Sequence, residues 1–161
     1  MVNGLRTLAL DDLGLAGALE QIVDEERRRA GWTDADFVHN ISGERFDSAL
    51  ETTIYRVAQE SLTNARKHSQ ATRVRLTLLL DEPRERGEGM RHLRLEVRDW
   101  GRGFDTDQAS RDDSRVGLHS MFERVHNVGG EWTVDSTPGK GTIVRASMPA
   151  HPPSPSAPVK E

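Results

Sequence analysis

Glu60, Asn64 and Lys67 stand at i, i+4 and i+7 in a stretch whose apolar residues keep helical spacing. On a helix they share one side, roughly 80–140° around from the centre of the apolar stripe at 100° per residue. A helix packed by its back can line a groove with such a flank. A carboxylate, an amide oxygen and a cation on one wall suit a hydrated divalent cation and a polyphosphate. The amide can ligate the metal without the charge of a second acid, and the lysine can neutralise phosphate. The same three residues also make an ordinary solvated helix face, and spacing alone does not decide between the two. His68 falls closer to the stripe.

Two further groups could contribute. Asp99-Trp-Gly-Arg-Gly103 follows an alternating strand pattern. Its carboxylate can accept from an amino group, and its glycines let a backbone and a ligand approach closely; ordinary turns use the same residues. It does not have the glycine spacing of the dinucleotide fingerprint, and no Walker A sequence is present, so a nucleotide site here needs another architecture. Arg115-Val-Gly-Leu-His119 opens a predicted helix whose free N–H groups could face an anion. Pro138-Gly-Lys-Gly-Thr142 offers a hydroxyl and an ammonium in a glycine-rich turn. His39, His92 and His151 lack partners at metal-ligand spacing, and His119 and His126 lie too far apart on one helix to share an ion. Trp32, Trp100 and Trp132 are scattered and form no aromatic cage.

Composition narrows the classes. The chain has 161 residues, enough for one domain with a sizeable core. Its formal net charge of -4 and its lack of a basic, aromatic-rich stripe argue against a nucleic-acid partner. Zero cysteines exclude disulfides, thiol catalysis and cysteine-held metals. This is compatible with a cytoplasmic setting. No apolar run reaches the length of a membrane span.

The elements that must position these groups follow from periodicity. Leu15, Leu19, Ile22 and Val23 predict a helix from about Leu13 to Ala30, stopped at Gly31. Ala35 to Ile41 reads as a short strand. Leu50, Ile54, Val57, Ala58, Ser61, Leu62 and Ala65 form the stripe of a second helix. The period then drops to two: Val74, Leu76, Leu78 and Leu80 point one way and Arg75 and Thr77 the other, and Leu93, Leu95 and Val97 alternate with charged residues after a charged loop at 83–89. A helix from about Gly117 to Val128 and strands at Glu131–Asp135 and Thr142–Met148 complete the order. It predicts an α+β, two-layer sandwich with helices on one face of a mixed, mostly antiparallel sheet. The expected domain runs over 13–149, after a junction at 1–12 and before a disordered tail or linker at 150–161.

Taken together in order, the motifs resemble a known family. Tyr55-Arg-Val-Ala-Gln-Glu-Ser-Leu-Thr-Asn-Ala-Arg-Lys-His-Ser69 resembles the N-box of the gyrase/Hsp90/histidine-kinase/MutL superfamily, and Asp99 to Gly103 resembles its G1 box. Gly117-Leu118, Met121, Glu123-Arg124 and Gly129-Gly130 resemble the reduced G2 region of nitrate-sensor and DesK-like histidine kinases. Ser136-Thr-Pro-Gly-Lys-Gly-Thr142 completes the pattern, which covers about residues 5–149. Leu13-Gly-Leu15 resembles the junction that leaves the dimerisation helices in that group.

The resemblance implies a Bergerat-type fold that binds ATP and Mg²⁺. It implies Asn64 as the metal ligand and Glu60 as the catalytic polar or general-base residue. Lys67 and His68 would face the phosphates, and Asp99 would accept from the adenine amino group. Gly101 and Gly103 would shape the pocket. Gly117 and Leu118 would form a hinge after an ATP lid at 105–116, and Thr142 would line the pocket. The implied reaction carries the γ-phosphoryl of ATP to a histidine on a separate dimerisation domain of the same parent, for relay to an aspartate of a response regulator. The parent is expected to be a homodimer, membrane-anchored or not, and the isolated domain a monomer. No candidate acceptor histidine precedes the first helix, so the chain is expected to bind nucleotide and autophosphorylate little. An anti-sigma-factor-like serine kinase and a non-catalytic docking module are the alternative readings.

Overall fold

In a computed structural model of the chain, residues 7–82, 89–106 and 114–155 are described. Helix α1 spans Leu8–Ala30, with Thr7 as N-cap and Gly31 closing it in the left-handed conformation. Gly14 breaks its helical winding at φ 71°, ψ 177°. The predicted stripe of Leu15, Leu19, Ile22 and Val23 is buried, and so is Leu10. The segment expected to be a junction therefore already supplies a core side chain. Strand β1 (Asp34–His39) follows.

Helix α2 (Ser48–Asn64) starts at Asp47, whose carboxylate accepts from the Ala49 N–H at 3.1 Å. Its apolar stripe is buried as predicted, from Leu50 to Leu62. The chain then widens into a π-helical turn, Ala65–Ser69, which ends at left-handed Gln70. Single π turns inside helices frequently mark functional sites.

Strands β2 (Arg73–Leu80), β3 (His92–Asp99), β4 (Glu131–Ser136) and β5 (Thr142–Pro149) join β1 in one sheet of order β1-β2-β3-β5-β4. Only the β1–β2 pairing is parallel. Val74, Leu76, Leu78 and Leu80 face the helices together with Leu93, Leu95, Val97, Val144, Ala146 and Met148. The opposite face carries cross-strand ion pairs, Arg75 with Asp36 and Arg145 with Glu96, each at 3.0 Å. The element order and the mixed sheet agree with the predicted sandwich.

Helix α3 (Ser114–Asn127) begins earlier than its periodicity suggests. At the other end, Pro149 belongs to β5, the Ala150 N–H donates to the Arg91 carbonyl, and the His151 carbonyl accepts from the Asp47 N–H at 2.9 Å. Hydrogen bonds thus carry the ordered chain past the expected boundary at 149, because this segment closes over the start of α2. Residues 156–161 of the expected tail lie outside the described residues.

One ion pair ties the first helix to the π turn. The Arg66 Nε–H donates to Glu26 at 2.6 Å, and Glu26 is buried in α1. Removing one partner of a buried pair strands the other charge, a larger loss than that of a surface pair. Arg66→Ala is expected to lower stability by about 1–3 kcal/mol, since Arg29 can compensate only in part. Urea unfolding measures this, and a midpoint equal to wild type would show that the pair contributes nothing.

Candidate functional site

The π turn after α2, the start of β5 and the turn preceding it converge beside the C-terminal end of β3, while the start of α3 meets α2 at Glu60. Alternation along β3 turns Leu93, Leu95, Val97 and Asp99 to the helix side, so the last inward residue is a carboxylate. Asp99 is only 7% exposed. Its Oδ1 accepts from the Gly101 N–H at 3.0 Å. Burial pushes the carboxyl group above its ordinary range, against the pull of the Gly101 and Thr142 backbone N–H groups. A desolvated carboxylate at the mouth of a loop can accept strongly from an incoming N–H donor.

The loop after Asp99 is pinned on both sides. The Arg102 N–H donates to the Ser69 carbonyl at 2.7 Å, and its guanidinium donates to the His68 carbonyl at 2.6 Å. On the other side the Gly139 N–H donates to the Arg102 carbonyl at 2.6 Å. Ser136 Oγ accepts from the Phe104 N–H at 2.9 Å and lies 2.8 Å from the Thr142 hydroxyl. A Cβ on Gly101 would stand 2.3 Å from the Ser69 carbonyl oxygen, and one on Gly141 would stand 2.1 Å from that of Asp99. Backbone meets backbone there, so no side chain fits. Gly103 packs equally closely on Thr137.

Glu60 meets the start of α3. A Cβ on Gly117 would lie 2.3 Å from Glu60 Oε1, while one turn further on the Ser61 hydroxyl reaches Met121 Sδ at 3.3 Å. Gly117, expected at the junction of lid and helix, is the fourth residue of α3, which starts three residues earlier than expected. A glycine inside a helix costs about 1 kcal/mol relative to alanine, and here it makes room for a carboxylate. Leu118 packs against the core. Of the expected lid at 105–116, residues 107–113 lie outside the described residues, and 114–116 form the first turn of α3.

The predicted residues therefore join in two groups: Asp99 with Gly101, Gly103 and Thr142, and Glu60 with Gly117. Asn64 is half-buried as the last residue of α2. Lys67 and His68 are exposed. Among the described residues neither side chain makes an ion pair or hydrogen bond with the Asp99 loop; His68 contributes its carbonyl instead. The π turn explains why His68, expected closer to the stripe, is exposed, because its wider winding shifts the phase of every residue after Asn64. Sequence reasoning missed the parts played by Ser69 and Arg102. Both act through backbone or guanidinium contacts to a distant segment, and no local pattern signals these.

Among the described residues no group of three or more His, Asp or Glu side chains could hold a metal. A cation that keeps its waters and takes one protein oxygen together with substrate phosphates fits such a donor set. The half-buried Asn64 amide is a suitable oxygen.

Residues 49–152 match the family described as histidine kinase-, DNA gyrase B-, and HSP90-like ATPase, and the chain belongs to that family. Among its curated relatives, the signal transduction histidine-protein kinase/phosphatase DegS of Brevibacillus brevis is 33% identical over 149 residues, 92% of this chain and 36% of that protein. The oxygen sensor histidine kinase NreB of Staphylococcus carnosus is 35% identical over 145 residues, 90% of this chain and 39% of that protein. The chain thus spans less than two-fifths of the length of these relatives. In fold it is similar to the histidine kinase domain of the Erythrobacter litoralis EL346 blue-light activated histidine kinase, with a TM-score of 0.60, 23% identity, and coverage of 84% of this chain and 65% of that one. It is also similar to the Acinetobacter baumannii histidine kinase AdeS, with a TM-score of 0.61, 14% identity, and coverage of 83% of this chain and 63% of that one.

The raised pKa of Asp99 has a stability consequence. Its folded value lies above the ordinary 3.8, so ionisation costs stability as pH rises through the folded value, and the cost is absent below 3.8. Asp99→Asn is expected to melt higher than wild type at pH 7, with the gain disappearing as pH falls toward the ordinary carboxylate range. Parallel melting curves across that window test it, and a difference independent of pH would show that ionisation of Asp99 is not its source.

Proposed function

We propose that this chain binds Mg²⁺-ATP and donates its γ-phosphoryl group to a histidine carried on a separate dimerisation segment, with relay to a response-regulator aspartate. The observation that carries the proposal is the buried Asp99 carboxylate, held at a strand end by a loop whose glycines exclude side chains. It is suited to accept from the adenine amino group while Gly101 and Gly103 leave the base room. Membership of the ATPase family and the kinase names of the relatives support the same reading.

In this reading Asn64 holds Mg²⁺, which when bound neutralises phosphate charge. Lys67 and His68, exposed on the π turn, face the phosphates, and Thr142 lines the pocket beside Asp99. Glu60 accepts the N–H of the incoming imidazole and so turns the other ring nitrogen toward phosphorus. The N–P bond forms as the bond to the β-phosphate oxygen breaks, and ADP leaves. Positioning and charge neutralisation carry most of such a transfer. No helix among the described residues is long and apolar enough to cross a membrane.

Calorimetric titration with a non-hydrolysable ATP analogue tests the site. Saturable binding is expected, weakened about tenfold or more by Asp99→Asn, with its Mg²⁺ dependence reduced by Asn64→Ala. Folded wild-type protein that binds nothing at millimolar nucleotide would overturn the reading and favour a docking module. With radiolabelled ATP the chain alone is expected to incorporate little label. A dimerisation segment from a relative should gain acid-labile phosphohistidine, and Glu60→Ala should slow that transfer about 100-fold or more. Acid-stable phosphoserine in a protein partner would favour the serine-kinase alternative.

A further inference from the structure

Trp100 sits between the buried carboxylate and Gly101, and none of the chemistry above uses it. Alternation along β3 sends Asp99 inward and Trp100 outward, to the same face as Arg98. Two guanidinium groups lie over its indole ring. Arg73 lies 4.2 Å from the ring centroid and Arg98 lies 4.7 Å from it. Both distances are well inside the range at which a cation is attracted to an aromatic face. The Trp100 N–H donates to the Arg73 carbonyl at 3.2 Å, extending the β2–β3 ladder one residue past Asp99. Arg73 is itself placed by Asp34 across the parallel pairing, at 3.1 Å between Nε and the carboxylate, although the N–H is not aligned for a hydrogen bond.

These contacts add to the ladder in fixing how the end of β3 is rotated about its own axis. Side chains one residue apart on a strand point to opposite faces, so whatever holds Trp100 outward also holds Asp99 inward. Asp99 is the last residue of β3, and beyond Trp100 the chain leaves the ladder for the loop held by Ser69 and Arg102.

We propose that Trp100, with the Arg73 and Arg98 guanidinium groups over its ring, is a positioning residue that tunes the aim of Asp99 and thereby the selectivity of the pocket for adenine. The proposal rests on the adenine reading of Asp99 given above. This cluster touches no part of the nucleotide. It acts by keeping the carboxylate where a donor at the 6-position of the base must meet it. A purine with a carbonyl at that position presents an acceptor instead, and two acceptors then face each other in a desolvated site. The ladder and the Gly101 and Thr142 N–H groups still hold Asp99 when these contacts are lost. A small shift in its aim then weakens the hydrogen bond to adenine and the penalty on the carbonyl-bearing base. Selectivity therefore falls more than stability does.

The experiment compares binding of non-hydrolysable analogues of ATP and ITP to wild type, Trp100→Ala, Trp100→Phe, Arg98→Gln and Asp99→Asn, each checked for folding by thermal melting. Trp100→Ala is expected to lower the ATP-to-ITP affinity ratio about tenfold, and Trp100→Phe, which keeps an aromatic ring for the cations, to stay within about threefold of wild type. Arg98→Gln should fall between them, and it carries the test if Trp100→Ala does not fold. Asp99→Asn should abolish the preference. If Asp99→Asn abolishes it while Trp100→Ala or Arg98→Gln leaves the ratio unchanged, the positioning role is wrong and the adenine site stands. If Asp99→Asn leaves the ratio unchanged, the adenine reading fails and this inference falls with it.

Discussion

The end of β3 passes between two other backbones, the π turn at Ser69 on one side and Gly141 on the other, closely enough that a methyl group on either glycine would collide with a carbonyl oxygen. Backbone groups packed this tightly must hydrogen-bond one another. They do so through Arg102 to Ser69 and Gly139 to Arg102. The remainder of the site depends on that fit. It delivers a carboxylate to a buried position that the carboxylate would not choose, and it joins the end of α2 to the start of β5 although 72 residues separate Ser69 from Gly141. The unfavourable burial of Asp99 is tolerated at one end of the sheet because the other end is an ordinary apolar sandwich.

The three helices contribute differently. Helix α2 is both core and wall: its back holds Leu50 to Leu62 in the interior while its flank carries Glu60 and Asn64. Helix α3 is fitted against that flank, with Gly117 leaving space for the Glu60 carboxylate. Helix α1 packs on both α2 and β1 and reaches the π turn through Glu26 and Arg66. A displacement of α1 would therefore be felt at the residues that follow Asn64, since the ion pair crosses directly from one element to the other. The outer face of the sheet carries paired charges, and Trp100 adds an aromatic ring at the end of its central strand.

Helices and strands were legible because burial is periodic. The stripe from Leu50 to Ala65, the alternation of Val74 to Leu80 and the left-handed stop at Gly31 are local consequences of geometry. The ends were less legible. Leu8–Leu13 and Ser114–Val116 became helical although neither carries a strong apolar pattern, and Ala150 and His151 were held by partners far away in sequence. The π turn was invisible, since the residues Ala65 to Ser69 continue a helical pattern without a break. His68, expected closer to the stripe, stands exposed on this turn.

By itself the sequence determined which residues could do chemistry and which family they belong with. Residue type, order and the period of burial are properties of a short window. Glu60, Asn64, Asp99 and the glycine-rich stretches could all be found there, and Asp99 could be assigned to the inner face by counting along its strand. What only the tertiary structure decided is which of them meet: Asp99 with Thr142 across the β3–β5 register, Glu60 with Gly117 between two helices, and Arg73 with Arg98 over Trp100. These are contacts between distant segments, fixed by sheet order and helix packing, and no local spacing encodes the position of a partner that arrives from elsewhere in the chain.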